Sequence, residues 1–259
     1  MKIGFIGVGK MAQAIIVGLS NKSEIMISGR DFTKTQAMAD KLGVEAVKTN
    51  TELAKLADVI ILSIKPQILP DILAEIKAEL SPEKTLVSIA SGIKLEELTA
   101  LTAQNQSIVR AMPNVNAAIQ RSTSAIVRND KVSDEIYLYV KSLFEQVGSV
   151  FEISEKDFMT FGALAGSSPA YIYIFIDAMA RAGVLHGISK EIATQIVAET
   201  VLGSAENVIK SGMHPQALAD SVASPSGTTI AGIIALENHG FNAAIISAID
   251  ETIKKEKSF

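Results

Sequence analysis

The chain has no cysteine, so disulfides, thiolate catalysis and cysteine-built metal sites are excluded. It has only three histidines. His186, His214 and His239 are scattered without HxxxH spacing, and no metal centre is expected. There is no run of Lys and Arg and no interleaving of basic with aromatic residues. The formal net charge is −4, so nucleic acid is not an expected partner. The longest apolar stretch, Ala170 to Leu185, is interrupted by Asp177 and Arg181. It reads as too short and too charged to span a membrane. No signal-peptide pattern precedes the first apolar run, and the expected location is the cytoplasm. The composition that is present, 48% hydrophobic and 20% charged over 259 residues, is that of a globular chain long enough for two domains.

The first motif is Gly7-Val8-Gly9-Lys10-Met11-Ala12. It follows the apolar run Ile3–Ile6 and opens a periodic apolar stretch through Ile15, Ile16 and Leu19. Strand, glycine-rich turn and helix are the context of a dinucleotide fingerprint. Gly7 makes the turn, Gly9 lets backbone approach a pyrophosphate, and Ala12 lets the helix pack close to the strand. Free amides and the positive dipole end of the helix would face the phosphates.

Residues 1–153 alternate short β-rich runs with helical stretches. Strands are expected at Lys2–Ile6, Glu24–Ser28, Glu45–Val47, Val59–Ile64, Thr85–Ile89 and Ile108–Met112, with two more at Thr123–Val127 and Val150–Ile153. Continuously apolar runs such as Val59-Ile60-Ile61-Leu62 fit parallel strands covered on both faces. This is the grammar of a doubly wound α/β Rossmann sheet and a nucleotide-binding domain. Residues 154–259 read as all helical. Ser168-Pro169 starts a long apolar helix, Ser189 caps the next, Pro215 starts a short one and Gly227-Thr228 precede another. From Tyr171 to Val184 the helix is apolar nearly all round, so it must be covered on more than one side. A partner subunit is the economical cover; the central helix of a monomeric bundle is the alternative.

Cofactor choice is read after the second strand, where NAD enzymes usually place Asp or Glu for the ribose 2′-hydroxyl. Here Ser28-Gly29-Arg30 stands instead. A hydroxyl and a guanidinium suit a 2′-phosphate, so NADPH is expected, with NADH a weaker alternative. Asp31 argues the other way, unless it caps the next helix. Further polar residues follow later strands: Ser63, Lys65 and Pro66; then Ala90 and Gly92; then Met112, Pro113 and Asn114. Together they outline one ligand-facing edge of the sheet.

Over nearly its whole length the chain resembles the pyrroline-5-carboxylate reductase family. The most specific segment is Leu218 to Glu237, containing Ser224-Pro225-Ser226-Gly227-Thr228-Thr229, where the family usually has Gly at the position of Ser226. The run Ala163 to Tyr171 resembles the family's Ser-Gly-Ser-Gly-Pro-Ala-Tyr, with Ala165 and Ser168 departing. Met112-Pro113-Asn114 is also family-like, with Asn116 where Pro is common.

The resemblance implies NAD(P)H-dependent reduction of the cyclic imine Δ1-pyrroline-5-carboxylate to proline. It implies a Rossmann domain and a helical dimerisation domain, with homodimers assembled into a ring such as a decamer. Asn50 matches an asparagine near the adenosine ribose, and Lys65-Pro66 a loop beside the nicotinamide. Ser224, Gly227, Thr228 and Thr229 match the substrate loop, with Thr229 the candidate partner of the imine nitrogen. A rival 3-hydroxyacid dehydrogenase would want a basic residue, typically Lys, on the long helix. The stretch Tyr171 to Leu185 has no Lys, and its one basic residue, Arg181, lies one turn from Asp177 and is expected to pair with it.

Overall fold

A computed structural model describes residues 1–257, which form two compact units, Met1–Gly166 and Ser167–Lys257. The first is built on one eight-stranded sheet in the order β3-β2-β1-β4-β5-β6-β7-β8. The strands are β1 (Ile3–Ile6), β2 (Ile25–Ser28), β3 (Glu45–Ala46), β4 (Val59–Leu62), β5 (Thr85–Ser88), β6 (Ser107–Met112), β7 (Ser122–Arg128) and β8 (Gly148–Glu152). The first six follow the 3-2-1-4-5-6 order of a dinucleotide-binding fold, all parallel; β7 then pairs antiparallel with β6.

The helices of this unit are α1 (Lys10–Gly18), α2 (Phe32–Leu42), α3 (Asn50–Leu56), α4 (Leu69–Ile76), α5 (Leu95–Leu101), α6 (Asp134–Glu145) and the short α7 (Phe158–Phe161). They cover both faces of the sheet. In β4 all four residues are fully buried, and they divide between two cores: Val59 and Ile61 join Phe5, Ile15 and Ile27, while Ile60 and Leu62 join Met26, Leu69 and Leu73. Side chains alternate across a strand, so a run with no polar residue is required when both faces are covered.

Several boundaries differ from expectation. Glu24 lies in a 3₁₀ turn before β2, and β4 stops at Leu62. The helical stretch between β4 and β5 is an α-helix only over Leu69–Ile76, with 3₁₀ turns at either end.

One buried ion pair lies outside the pattern. Arg110 on β6 is nearly enclosed and donates from Nη1 to Glu155 at 3.0 Å. The same Glu155 oxygen accepts the Leu95 amide at 2.7 Å, and the guanidinium sits 4.4 Å from the Phe158 ring centre. Arg110 Nε has no hydrogen-bond partner among the described residues.

The second unit contains α8 (Ser168–Leu185), α9 (Lys190–Ser211), α10 (Pro215–Ser221), α11 (Thr228–Asn238) and α12 (Phe241–Glu256). Pro169 and Pro215 occupy first-turn positions, where the missing amide costs nothing. Ser189 accepts the Ile192 amide as N-cap of α9, and Gly212 ends that helix in the left-handed conformation. Helices α8 and α9 pack with Gly183 against Ala193, where an added Cβ would come within 3.0 Å. Asp177 on α8 accepts from Arg181 and Lys190, each at 2.6 Å, and the Lys190 bond followed by the Arg181 bond holds its carboxyl below the usual value. The Tyr171 hydroxyl bonds Thr252 on α12, so it is committed within this unit.

Burial here is sparse. Ala180, Ala193 and Val197 are the only buried residues of α8–α12. The length argument against a membrane span is corrected: Glu155–Leu185 is a helical run of 31 residues, long and apolar enough by length and composition to cross one.

Candidate active site

The phosphate-binding turn is built by two glycines with different tasks. Gly7 has φ +90°, and a Cβ there would lie 2.5 Å from the Ser63 carbonyl oxygen, so both conformation and space demand glycine. Gly9 has ordinary dihedrals, and a Cβ on it would meet nothing within 4 Å. Its bare backbone faces open space, as a diphosphate cradle requires. Gly9 is also the N-cap of α1 and offers no side-chain capping bond. The first-turn amides, from Lys10, Met11 and Ala12, therefore stay available to an anion.

A cleft of about 620 Å³ opens in front of this turn. Of the expected cofactor residues it brings together Gly7, Gly9, Arg30, Asn50, Ser63 and Lys65. A neighbouring cleft of about 500 Å³ shares Val8, Gly29 and Arg30 and adds Asp31 and Lys34. Asp31 is the N-cap of α2: its side chain accepts the Lys34 amide at 3.1 Å, and that bond holds its carboxyl below the usual value. The carboxylate that would have spoken for NAD is thus occupied in capping.

Ser28 is fully buried and does not line the cleft. Its hydroxyl donates to Asn50 Oδ1 at 2.8 Å, so it reaches the cleft through Asn50. Asn114 is also buried. Its Nδ2 donates to the Ala165 carbonyl at 3.0 Å, and its Oδ1 accepts the Asn116 and Thr123 amides. It fastens the turn after β6 to the π-helical segment Gly162–Ser167. Ala90 is buried, with its amide on Ser88 Oγ; Gly92 is exposed with φ +81°. Pro66 starts the 3₁₀ turn after Lys65, Met112 ends β6 half-buried, and Pro113 is buried beside it.

The substrate-loop residues lie in the second unit. The Gly227 amide donates to the Ser224 carbonyl at 3.0 Å, closing a turn with Pro225 and Ser226 at its centre. Ser226 has φ +61°, the value that usually selects glycine at the third position of such a turn. At Gly227 a Cβ would come within 2.4 Å of Ser224 Oγ and 3.0 Å of its carbonyl oxygen. Gly227 is the N-cap of α11 and, like Gly9, leaves the helix without a side-chain cap. The Ser224, Thr228 and Thr229 side chains are exposed.

Two family models match the chain. Residues 2–92 match "NADP oxidoreductase coenzyme F420-dependent", and residues 155–259 match "Pyrroline-5-carboxylate reductase dimerisation". The pyrroline-5-carboxylate reductase of Arabidopsis thaliana is 38% identical, covering 99% of this chain and 94% of that protein. That of Escherichia coli K12 is 36% identical, covering 99% and 97%. This chain belongs to the pyrroline-5-carboxylate reductase family. Among solved structures, the family member from Streptococcus pyogenes is 46% identical with a TM-score of 0.91, covering 100% of this chain and 99% of that one. The Plasmodium falciparum enzyme, solved with NADP bound, is 32% identical with a TM-score of 0.89, covering 100% and 97%.

Sequence reasoning missed three charged residues here, two that line a cleft and a third that holds Asn50. Lys34 lies one turn into α2, three residues past the capping Asp31. Asp71 lines the main cleft, and Glu75, one turn further along α4, accepts from Asn50 Nδ2 at 2.9 Å. The i, i+4 carboxylates directly after Lys65-Pro66 were the available signal.

Proposed function

We infer that this chain is an NADPH-dependent oxidoreductase that reduces the cyclic imine Δ1-pyrroline-5-carboxylate to L-proline, the last step of proline biosynthesis. The observation that carries this is an open phosphate cradle at Gly9, with Arg30 in the same cleft, in a chain that matches this family almost end to end. When bound, NADPH supplies the hydride that goes from nicotinamide C4 to the imine carbon.

The following residue roles are our proposal. The Lys10, Met11 and Ala12 amides hold the diphosphate, Arg30 takes the 2′-phosphate, and Asn50 meets the adenosine ribose. Ser63, Lys65 and Pro66, with Ala90, Gly92, Met112 and Pro113, border the nicotinamide half. Ser28 and Asn114 hold that frame from behind. At the substrate, the Thr228 and Thr229 amides, left without a side-chain cap at the start of α11, bind the carboxylate, helped by the dipole of that helix; the Gly227 amide, expected to share this task, is spent on the Ser224 carbonyl and closes the turn that Ser224 braces. The Thr229 hydroxyl orients the imine nitrogen. A protonated imine is already electrophilic, so positioning and electrostatics suffice without a Ser/His/Asp or Cys/His set.

The helical part makes the chain a homo-oligomer, since residues 155–259 match a dimerisation family. We further propose that dimers assemble into a ring such as a decamer, that the enzyme is cytoplasmic with neither nucleic acid nor membrane as partner, and that the functional division is 1–153 and 154–259. NADH is a weaker substitute.

The direct test is NADPH oxidation dependent on pyrroline-5-carboxylate, in wild type and in Thr229→Val. The variant keeps the shape and loses the hydroxyl. Turnover should fall about 10- to 200-fold, as expected when roughly 1.5–3 kcal/mol of transition-state hydrogen bonding is removed. NADPH affinity should stay as it was. Wild-type turnover in Thr229→Val removes Thr229 from the mechanism.

A further inference from the structure

Three side chains from three elements make one hydrogen-bonded line at the Arg30 end of the cleft. The hydroxyl of Ser28, buried at the end of β2, donates to Asn50 Oδ1 at 2.8 Å. Asn50, the first residue of α3, donates from Nδ2 to Glu75 Oε2 on α4 at 2.9 Å. An asparagine amide offers nearly the same shape in two flips. A carboxylate accepts only, so Glu75 selects the flip that turns Nδ2 toward it. The amide is then left with one N–H and one acceptor site. Both suit a ribose hydroxyl, which donates and accepts.

The same line bears on charge. The usual carboxylate after β2 is missing, and Arg30 stands in its place. A carboxylate nevertheless arrives at this end, from α4 and by way of Asn50. Asp71, one turn before Glu75, itself lines the cleft. A 2′-phosphate entering here gains from Arg30 and is opposed by α4; a 2′-hydroxyl meets no such opposition.

We propose that Glu75 is a positioning and specificity residue for the adenosine end of the cofactor, fixing the Asn50 amide and limiting the preference for NADPH over NADH. This rests on the reading that Asn50 and Arg30 receive the adenosine ribose.

The test is binding rather than turnover. Affinities of wild type, Glu75→Gln, Glu75→Asp and Asn50→Ala are measured by calorimetry for NADPH, NADH, adenosine 2′,5′-bisphosphate and AMP, at low and high salt. Glu75 is exposed, so the Gln and Asp variants should keep the wild-type unfolding midpoint. In Glu75→Gln the NADPH to NADH affinity ratio should rise about two- to tenfold at low salt, with the same change between the two nucleotide fragments. The rise should shrink as salt screens the lost charge. Glu75→Asp, which keeps the charge, should leave the ratio within about twofold of wild type.

An unchanged ratio in Glu75→Gln, or the same rise in Glu75→Asp, overturns the proposal. Asn50→Ala separates the two levels. If it weakens NADPH and NADH about tenfold, as loss of a hydrogen-bonding partner predicts, while Glu75→Gln leaves the ratio alone, only the role of Glu75 fails. If it changes neither affinity, the reading of the cleft fails and the proposal with it.

Discussion

Two apolar side chains of similar exposure, one from each unit, frame the main contrast in this molecule. Leu138 on α6 of the first unit is 60% exposed, and Ile174 on α8 of the second is 69% exposed. Around Leu138 the helix has done its work: Tyr137, Val140, Leu143 and Phe144 are buried against the sheet. Around Ile174 almost nothing is buried; Leu185 is 81% exposed and Ile209 82%. A sheet closed on both faces by helices completes its own core. Helices that are apolar all round do not, and the match of residues 155–259 to a dimerisation family says what completes them. An exposed leucine is ordinary; a whole unit of them is an interface.

The largest expected effect comes from breaking that contrast directly. Ile174→Asp should abolish the dimer at micromolar concentration, because an unpaired charge buried at an interface costs several kcal/mol. Leu138→Asp should leave sedimentation and activity as in wild type, within about 0.5 kcal/mol of its stability. If both variants sediment alike, the exposed face of α8 is not the dimer surface.

The first unit should break in another way. Glu155→Ala strips the buried Arg110 of its carboxylate, and Arg110 Nε already lacks a partner. Leaving a buried charge uncompensated costs about 3–5 kcal/mol, and the partial exposure of Glu155, 27%, puts the expectation at the lower end. Stability lost here should not depend on protein concentration, whereas stability lost through Ile174→Asp should. Chemical denaturation at two concentrations distinguishes them.

Within the cofactor cleft the expected effect is smaller and selective. Arg30→Ala should weaken NADPH about 10- to 100-fold, the loss of one charged hydrogen-bonding partner, and leave NADH almost unchanged. Equal losses for both cofactors would remove Arg30 from the 2′-phosphate site.

These contrasts also mark what could be read in advance. Strands such as Val59–Leu62 were legible because burial on both faces demands an unbroken apolar run. The need for a partner was legible in α8 for the converse reason. Gly7 and Gly9 were legible as a motif, but only coordinates show that one is pinned by the Ser63 carbonyl and the other faces empty space. The bond between Ser28 and Asn50 was not legible. The two residues are 22 positions apart, and they meet only because β2 ends where α3 begins. The burial of Asn114 was hidden for a similar reason: its side chain is satisfied by Ala165, 51 positions away. Arg110 was missed because a lone charge inside an apolar strand run gives no sign of a partner 45 positions on.

The smallest effect compares two turns with positive φ, one in each unit. Gly7 at φ +90° has a carbonyl oxygen where its Cβ would be, so no other residue fits. Ser226 at φ +61° already carries a Cβ in a conformation that favours glycine, at the position where the family usually has glycine. A non-glycine residue held there costs about 1–2 kcal/mol of backbone strain. Ser226→Gly relieves that strain and adds about 0.5–1 kcal/mol of unfolded-state entropy to be lost on folding. The balance favours the variant by about 0.5–1 kcal/mol, a rise of a few degrees in Tm for a chain of this size. Its turnover should match wild type, since the Thr228 and Thr229 amides keep their positions. A lower Tm in Ser226→Gly would mean that the serine side chain makes a stabilising contact outweighing its strain. A raised KM for pyrroline-5-carboxylate at unchanged Tm would place that contact on the substrate.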